Sequence, residues 1–298
     1  MKIFGRYYLL LLSIAFLFAC QTTEKKYKIE PNPKTLTIVT FNTEWLGDGI
    51  NDTKPRSARD YELMARMLST IQADIIALQE VENENALKKV CDYIDGYDFY
   101  VCEDKGRQNP AFLVSDKISF NIFGSFRQLI VEPNKTRPGF IAEAKKGNFD
   151  FTLMNIHLKS TSRYDSTPEL KKFSQIIRTR QAYALKGWID SMEHFSKERD
   201  YIILGDFNDN PKKKSTTLYP LSEDRNIKFL TEFLKSTKNY RWLSIDHILV
   251  SNAAEQRIIQ NSLHQIDFYD LLKTKDSEKI SDHTPVVLSF EISSNDND

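Results

Sequence analysis

Apolar residues recur along the chain in two periods, and the alternation between them sketches a layered protein. Leu36 to Phe41 alternates like a half-buried strand and stops at Asn42. Leu63, Met64, Met67, Leu68 and Ile71 fall at helical spacing, which predicts an amphipathic helix over Tyr61 to Gln72. Ile75 to Leu78 is a short apolar run ending in Gln79-Glu80, and a second helix is expected over Asn83 to Ile94. Pro110 to Val114, Ile118 to Phe126, Phe140 to Ala144 and Phe149 to Ile156 are strand-like, with turn residues between them. A long helix is predicted over Glu169 to His194, its apolar positions including Phe173, Ile176, Ile177, Ala184, Leu185 and Ile189. Tyr201 to Leu204 suits a strand buried on both faces, and Ile245 to Val250 and Val286 to Ile292 complete the β set. Between Pro211 and Trp242 the pattern weakens to a loop, with one helix expected at Phe229 to Leu234. Long helices early and in the middle, with hairpin-like strands between, predict two sheets packed face to face with helices outside.

The first residues follow a different rule. Lys2 and Arg6 precede the apolar stretch Tyr7 to Phe18, and Ala19-Cys20 follows at once. The stretch is too short for a membrane span with proper flanks, so residues 1–20 are expected to be an export signal. Leu17-Phe18-Ala19-Cys20 resembles a bacterial lipobox, which implies a lipid on Cys20 and attachment to a membrane of the bacterial cell envelope, with the outer membrane expected. An ordinary secretory signal or an uncleaved anchor is the alternative. Gln21 to Lys34 is polar and carries Pro31 and Pro33, so it is expected to be a solvated tether. Residues 35–298 then form one domain, without an internal repeat and long enough to bury a core.

Charge narrows the partners only a little. The chain has 41 basic and 41 acidic residues, so any attraction for nucleic acid must be local. Cys91 and Cys102 either pair in an oxidising envelope or stay as buried thiols, and no metal-type cysteine cluster exists.

The chemistry centres on Tyr201-Ile202-Ile203-Leu204-Gly205-Asp206-Phe207-Asn208-Asp209-Asn210-Pro211. Gly205 lets the backbone turn tightly, so Asp206 and Asn208 project from the strand's carboxyl end on the same side. For an isolated run, an Asx-rich turn closing the strand explains the same residues. This run is not isolated. Asn42 and Glu44, Glu80, His157, Asp246, and Asp282 with His283 are each placed after an apolar strand candidate, and side by side they converge on one rim. Clustered carboxylates repel, and a hard divalent cation relieves that repulsion. Oxygen ligands without thiolate favour Mg2+, Mn2+ or Ca2+ over zinc. An imidazole held by a carboxylate has a fixed tautomer and exchanges or stabilises charge near neutral pH. A cation, a base and donors around developing charge are what phosphate-ester hydrolysis needs.

The order of these residues resembles the endonuclease/exonuclease/phosphatase superfamily, in the segments TFNTEWL, ALQEVEN, NIHLKS, ILGDFNDNP, SIDHILVS and SDHTPVVL. The likeness runs from Leu36 to Ile292 and is greatest to the pancreatic-type deoxyribonucleases. It implies an α/β four-layered sandwich of two mostly antiparallel β-sheets flanked by helices, with the site at the sheet edges. It also implies that Glu80 is the principal metal ligand, helped by Asn42 and Asp282, with Glu44 where relatives often have a second metal-side carboxylate. Asp206 then orients or deprotonates the attacking water, and Asn208 positions phosphate or water. His283 faces the phosphate with Asp246 behind it, and His157 stands near the leaving oxygen. Where deoxyribonucleases support that histidine with a glutamate, this chain has Gln108. Lys159 either supplies charge to a phosphate or is a solvated rim lysine.

The inositol phosphatase signatures are absent, since Asp209-Asn210-Pro211 and Ser244-Ile245 occupy their places. The apolar insertions of sphingomyelinases find a faint counterpart in Tyr240-Arg241-Trp242-Leu243. Arg163, Lys171-Lys172, Arg178, Arg180 and Lys212-Lys213-Lys214 lie near the expected site, the last run being either a solvated face or a track for a nucleic-acid backbone. The expectation is a monomeric envelope nuclease acting on DNA through backbone contacts. The alternatives are a sphingomyelinase-like or other small-substrate phosphodiesterase or phosphatase, and a binding protein whose chemistry has lapsed.

Overall fold

Tyr201 to Leu204 shows how the chain uses its apolar runs. Ile202 and Leu204 join one buried cluster, while Tyr201 and Ile203 join another on the opposite face. A strand covered on both sides has no polar alternation to display. The structure, a computed structural model, describes residues 26–296 except 105, 238, 274, 275, 277 and 278. The expected export signal and Cys20 lie outside the described residues.

In chain order the strands are β1 (Tyr27–Lys28), β2 (Thr35–Leu46), β3 (Ile75–Val81), β4 (Ile94–Asp95), β5 (Tyr97–Val101), β6 (Asn109–Ser115) and β7 (Ser119–Phe126). They continue with β8 (Gly139–Lys146), β9 (Phe149–His157), β10 (Tyr201–Asp206), β11 (Ile227–Phe229), β12 (Asp246–Ser251), β13 (His264–Gln265) and β14 (Val286–Glu291). The long helices are α1 (Ala58–Ile71), α2 (Glu84–Cys91) and α3 (Pro168–Phe195). Ser57 starts α1 through a capping box with Asp60, and Thr167 caps α3 just before Pro168, which pre-sets the first helical turn.

Among the described residues, one six-stranded sheet runs β13-β14-β2-β3-β6-β5 and the other β11-β12-β10-β9-β8-β7. Both are mainly antiparallel, and each holds one parallel pair near its middle, β2 with β3 and β9 with β10. The inner faces pack on each other through Ile38, Ile75, Phe112, Phe151, Leu153, Ile202 and Leu288. One outer face is covered by α1 and α2 through Met64, Leu68 and Leu87, the other by α3 through Ala182, Leu185 and Ile189. The expected four layers are therefore present. Asn155 crosses the seam between the sheets: its amide donates to the carbonyls of Leu78 and Ala111 at 2.8 Å each, and its oxygen accepts from Gln79 at 2.8 Å.

Several expectations need correction. The helix expected at Phe229 to Leu234 is instead β11 followed by a turn, because the edge of β12 takes a partner and Ile227 and Phe229 alternate into the cluster beneath α3. Phe173 and Ile176 do not face the core of α3 but are 36% and 41% exposed. The expected solvated tether is docked from Lys26 onward, since β1 pairs with β4 and Ile29 is buried. Of the two alternatives left open for Cys91 and Cys102, the structure has free thiols, which burial pushes up to about 12 and about 11.

Candidate active site

The parallel pairs end at the same rim, because the Asn42 amide at the end of one sheet donates to Asp206 Oδ2 of the other at 3.0 Å. Asn42, Glu80, His157 and Asp206 come from the carboxyl ends of β2, β3, β9 and β10. Asp246 and Asp282-His283 do not follow strands as expected; Asp246 opens β12, and Asp282-His283 precede β14. These strands run antiparallel to their neighbours, so their beginnings reach the rim where the others finish.

The backbone is distorted where the site is built. Glu44 and Trp45 have φ of 51° and 57°, within a register break of β2 between Asn42 and Leu46. Glu80 has φ of 63°, within the matching break of β3 against β6, and Asn208 has φ of 53°. Such conformations cost roughly 1–3 kcal/mol each and persist only where the surroundings impose them. The bulges re-aim side chains at the rim. Gly205 acts differently from the expected turn: it lies within β10 at φ 147°, and a Cβ there would sit 1.9 Å from the Ile156 carbonyl oxygen. Only glycine allows β9 so close.

Asp206 is the hub. Its Oδ1 accepts from the Asn208 N–H at 2.8 Å, and its Oδ2 lies 3.6 Å from His157 Nε2 and 3.9 Å from His283 Nε2. Burial is the main force raising its carboxyl to about 7, with Asp246 and Glu80 adding to it and His283 opposing. Glu80 Oε1 lies 3.7 Å from the same His157 nitrogen, and Oε2 accepts from the Trp45 N–H at 3.0 Å. His283 Nδ1 lies 3.0 and 2.9 Å from the two Asp246 oxygens, which fixes Nε2 toward the hub. Burial opposes its charge, but Asp246, Asp206 and Asp282 prevail and raise it to about 10. His157 goes the other way, held well below its usual value by burial and then by Arg137.

The remaining candidates are placed less centrally. Asn208 does stand beside Asp206, but its amide donates to the Leu158 carbonyl at 3.1 Å. The Glu44 carboxylate pairs with Lys54 at 2.5 Å and touches the centre only through its N–H, which donates to Asn42 Oδ1 at 2.9 Å. Asp282 is largely exposed, with Oδ1 3.8 Å from His283 Nε2. Gln108 does not support His157; its oxygen accepts from Arg137 at 2.8 Å, and His157 Nδ1 is buried without a hydrogen-bond partner. The Lys159 ammonium turns to the Ser160 carbonyl at 2.6 Å. Arg178 points inward, to Thr217 and the Lys159 carbonyl, rather than toward a ligand. In the lysine run, Lys212 pairs with Glu232 and Lys213 with Asp209, leaving Lys214 exposed.

Sequence reasoning missed three supports. Asp209 accepts from Thr217 and Lys213, bracing the loop after β10. His247 bonds Thr231 and the Asp209 carbonyl with its two nitrogens, and burial lowers it to about 4. Arg137, from a Thr-Arg-Pro loop, reaches the His157 carbonyl at 3.4 Å.

The donor set fits a hard cation. Glu80 and Asp206 each bring a carboxylate oxygen near His157 Nε2, at 3.7 and 3.6 Å, and burial drives Asp206 toward protonation. Asp206, Asp246 and His283 also lie close enough together to share an ion.

Known proteins place this arrangement. No curated protein sequence matches the chain. A humanized D. rerio TDP2 has 17% identity and a TM-score of 0.61, covering 86% of this chain and 99% of its own. A D. rerio TDP2 complexed with single strand DNA product has 16% identity and the same TM-score of 0.61, over 86% of this chain and 99% of its own. A mannosyl-6-phosphatase of Bacteroides thetaiotaomicron has 18% identity and a TM-score of 0.57, over 85% and 98%. These likenesses are of fold. The profile of the endonuclease/exonuclease/phosphatase family matches residues 39–283. With that span and the rim it contains, the chain belongs to the endonuclease/exonuclease/phosphatase family, whose members are phosphoesterases and nucleases that generally depend on a divalent metal.

Proposed function

We propose that the chain is a divalent-metal-dependent phosphodiester hydrolase that cleaves DNA, gripping it by the backbone. The observation that carries this reading is the meeting of Asn42, Glu80 and His283 from one sheet with His157, Asp206 and Asp246 from the other. Glu80, with Asn42 and Asp282 beside it, would hold the ion, Mg2+ or in its place Mn2+ or Ca2+. When bound, the ion supplies positive charge to the phosphate oxygens.

The chain's own groups divide the remaining work. Asp206, at about 7 and pinned by Asn208 and Asn42, takes the proton of the attacking water at its carboxylate. His283 carries its charge at neutral pH, so its Nε2–H faces the phosphate as a donor, while Asp246 holds the other nitrogen. His157 stays neutral and presents Nε2 between Glu80 and Asp206.

The TDP2 structure with a single strand DNA product supports DNA as substrate, and the mannosyl-6-phosphatase supports a small phosphate ester as the second reading. The test compares plasmid DNA, sphingomyelin vesicles and mannose 6-phosphate under the same magnesium, with chelator controls and Asp206→Ala. DNA cleavage lost in the variant and in chelator is expected. Turnover of vesicles or sugar alone overturns the nuclease reading, and no metal-dependent turnover of any of them leaves a binding protein. The arrangement of Lys2, Arg6 and Cys20 supports anchoring in the bacterial envelope. Metabolic palmitate labelling that disappears in Cys20→Ala tests the anchor.

A further inference from the structure

We propose that the cleft between Trp45 and Arg137 is a subsite for a second phosphate and the ring of the nucleotide bearing it, one step along the strand from the scissile group. This rests on the reading of the rim as a phosphodiester hydrolase. The cleft has a volume of about 510 Å3, within the range of sites that hold small ligands, and Trp45, Gln108, Arg127, Lys135 and Arg137 line it. It abuts the rim directly, since the Trp45 N–H is bonded to Glu80 and Arg137 to the His157 carbonyl.

Its charge is what singles it out. On the opposite flank, Lys212 and Lys213 are taken up by Glu232 and Asp209. Within the cleft, Arg107 is bound to Glu82, and Arg127 lies 3.9 Å from Asp104. Arg137 and Lys135 differ. Arg137 bonds two neutral oxygens, those of Gln108 and the His157 carbonyl, and Lys135 stands 4.8 Å over the Phe173 ring. Neither contact is an ion pair; Glu80 and Asp206 draw on the Arg137 guanidinium only from the rim side, so it stands between the reaction centre and the cleft. A guanidinium and an ammonium facing one cleft make a fork for a phosphate.

Trp45 supplies the flat wall. Its φ of 57° is costly for a tryptophan, and the bond to Glu80 holds it there. An indole half-buried at the edge of a cationic cleft is a stacking platform for a base. Because one Glu80 oxygen holds Trp45 and the other faces His157, the subsite and the reaction centre share a carboxylate.

Three p-nitrophenyl esters separate the parts: methyl phosphate, thymidine 5′-phosphate, and thymidine 3′,5′-bisphosphate esterified at the 5′ position. With full-length protein, kcat/KM should rise about tenfold at each step. Arg137→Gln with Lys135→Gln should abolish the gain from the second phosphate, and Trp45→Leu the gain from the nucleoside, with thermal unfolding confirming that each variant is folded. Methyl ester turnover without either gain, or gains that survive in the variants, overturns the subsite and leaves the hydrolase standing. No metal-dependent turnover of any of the three esters overturns the hydrolase. Binding of thymidine 3′,5′-bisphosphate, followed by tryptophan fluorescence, still judges the cleft in that case: affinity lowered about tenfold in Arg137→Gln supports it, and unchanged affinity refutes it.

Discussion

The two ends of the sandwich treat buried charge in opposite ways. At the far end, Asp74 before β3 meets Lys146 at the end of β8 at 2.6 Å. The lysine also donates to the carbonyls of Asn32 and Thr35 at 2.8 Å each, and the second Asp74 oxygen accepts from the Thr37 N–H at 2.8 Å. At the rim, Glu80, Asp206, Asp246 and Asp282 gather round one neutral imidazole and one charged one. At the far end each charge has a direct partner and the pair joins the sheets, although burial still raises the Asp74 carboxyl. The rim sets four carboxylates against one charged and one neutral imidazole, the imbalance on which the proposed metal-dependent hydrolysis rests.

The sharpest way to break this contrast is Asp206→Asn. Cleavage should fall by roughly 10^3-fold or more, yet the unfolding temperature should hold or rise, because a carboxyl that burial disfavours has gone. Single-turnover kinetics and calorimetry check both halves. Lys146→Met should do the reverse, destabilising by about 3–5 kcal/mol in urea titrations while the folded fraction keeps its kcat. Combining it with Asp74→Asn should recover much of the loss, since the stranded charge is removed.

A third expectation concerns His247, which is buried and neutral behind the rim. Its folded value of about 4 lies below the usual 6.5, so the unfolded chain binds the proton first and stability falls as pH drops from about 6.5 toward 4. The loss should approach about 3 kcal/mol. Asp206, raised to about 7, contributes a slope of opposite sign across the same window, so urea titrations comparing the wild type with His247→Gln isolate the loss: the variant should lack it. The smallest effect belongs to Asp246→Asn, which leaves His283 in place but without its charged partner; kcat should drop about 10- to 100-fold.

The parts of the molecule that were legible are those where one local signal carries the structure. β3, β9, β10 and β12 are buried on both faces, so they read as apolar runs bounded by polar tips. β5 was hidden because Tyr97 to Val101 is an edge strand, half-exposed and broken by Asp98. β11 has three residues, too few to separate a strand from a helix start. The acidic and imidazole groups of the rim stand in recognisable segments. Arg137 does not; it lies in a loop between strands and reaches the rim only through tertiary packing. Trp45 was hidden differently, since nothing in its residue type announces a left-handed backbone. Gln108 was assigned to His157 by lining up strands, and register alone cannot say which neighbour an amide will reach.

The Asn155 bridge has a wider consequence. Each slab of the sandwich supplies half of the reaction centre, and neither half is chemically sufficient alone. The bridge bolts the slabs together immediately beneath that junction, so sliding them by a single residue would strip three hydrogen bonds and scatter the donors at once. Catalytic competence and global cooperativity should therefore disappear in one transition rather than two. An ion seated across the junction would act as a rivet, delaying that transition as its concentration rises.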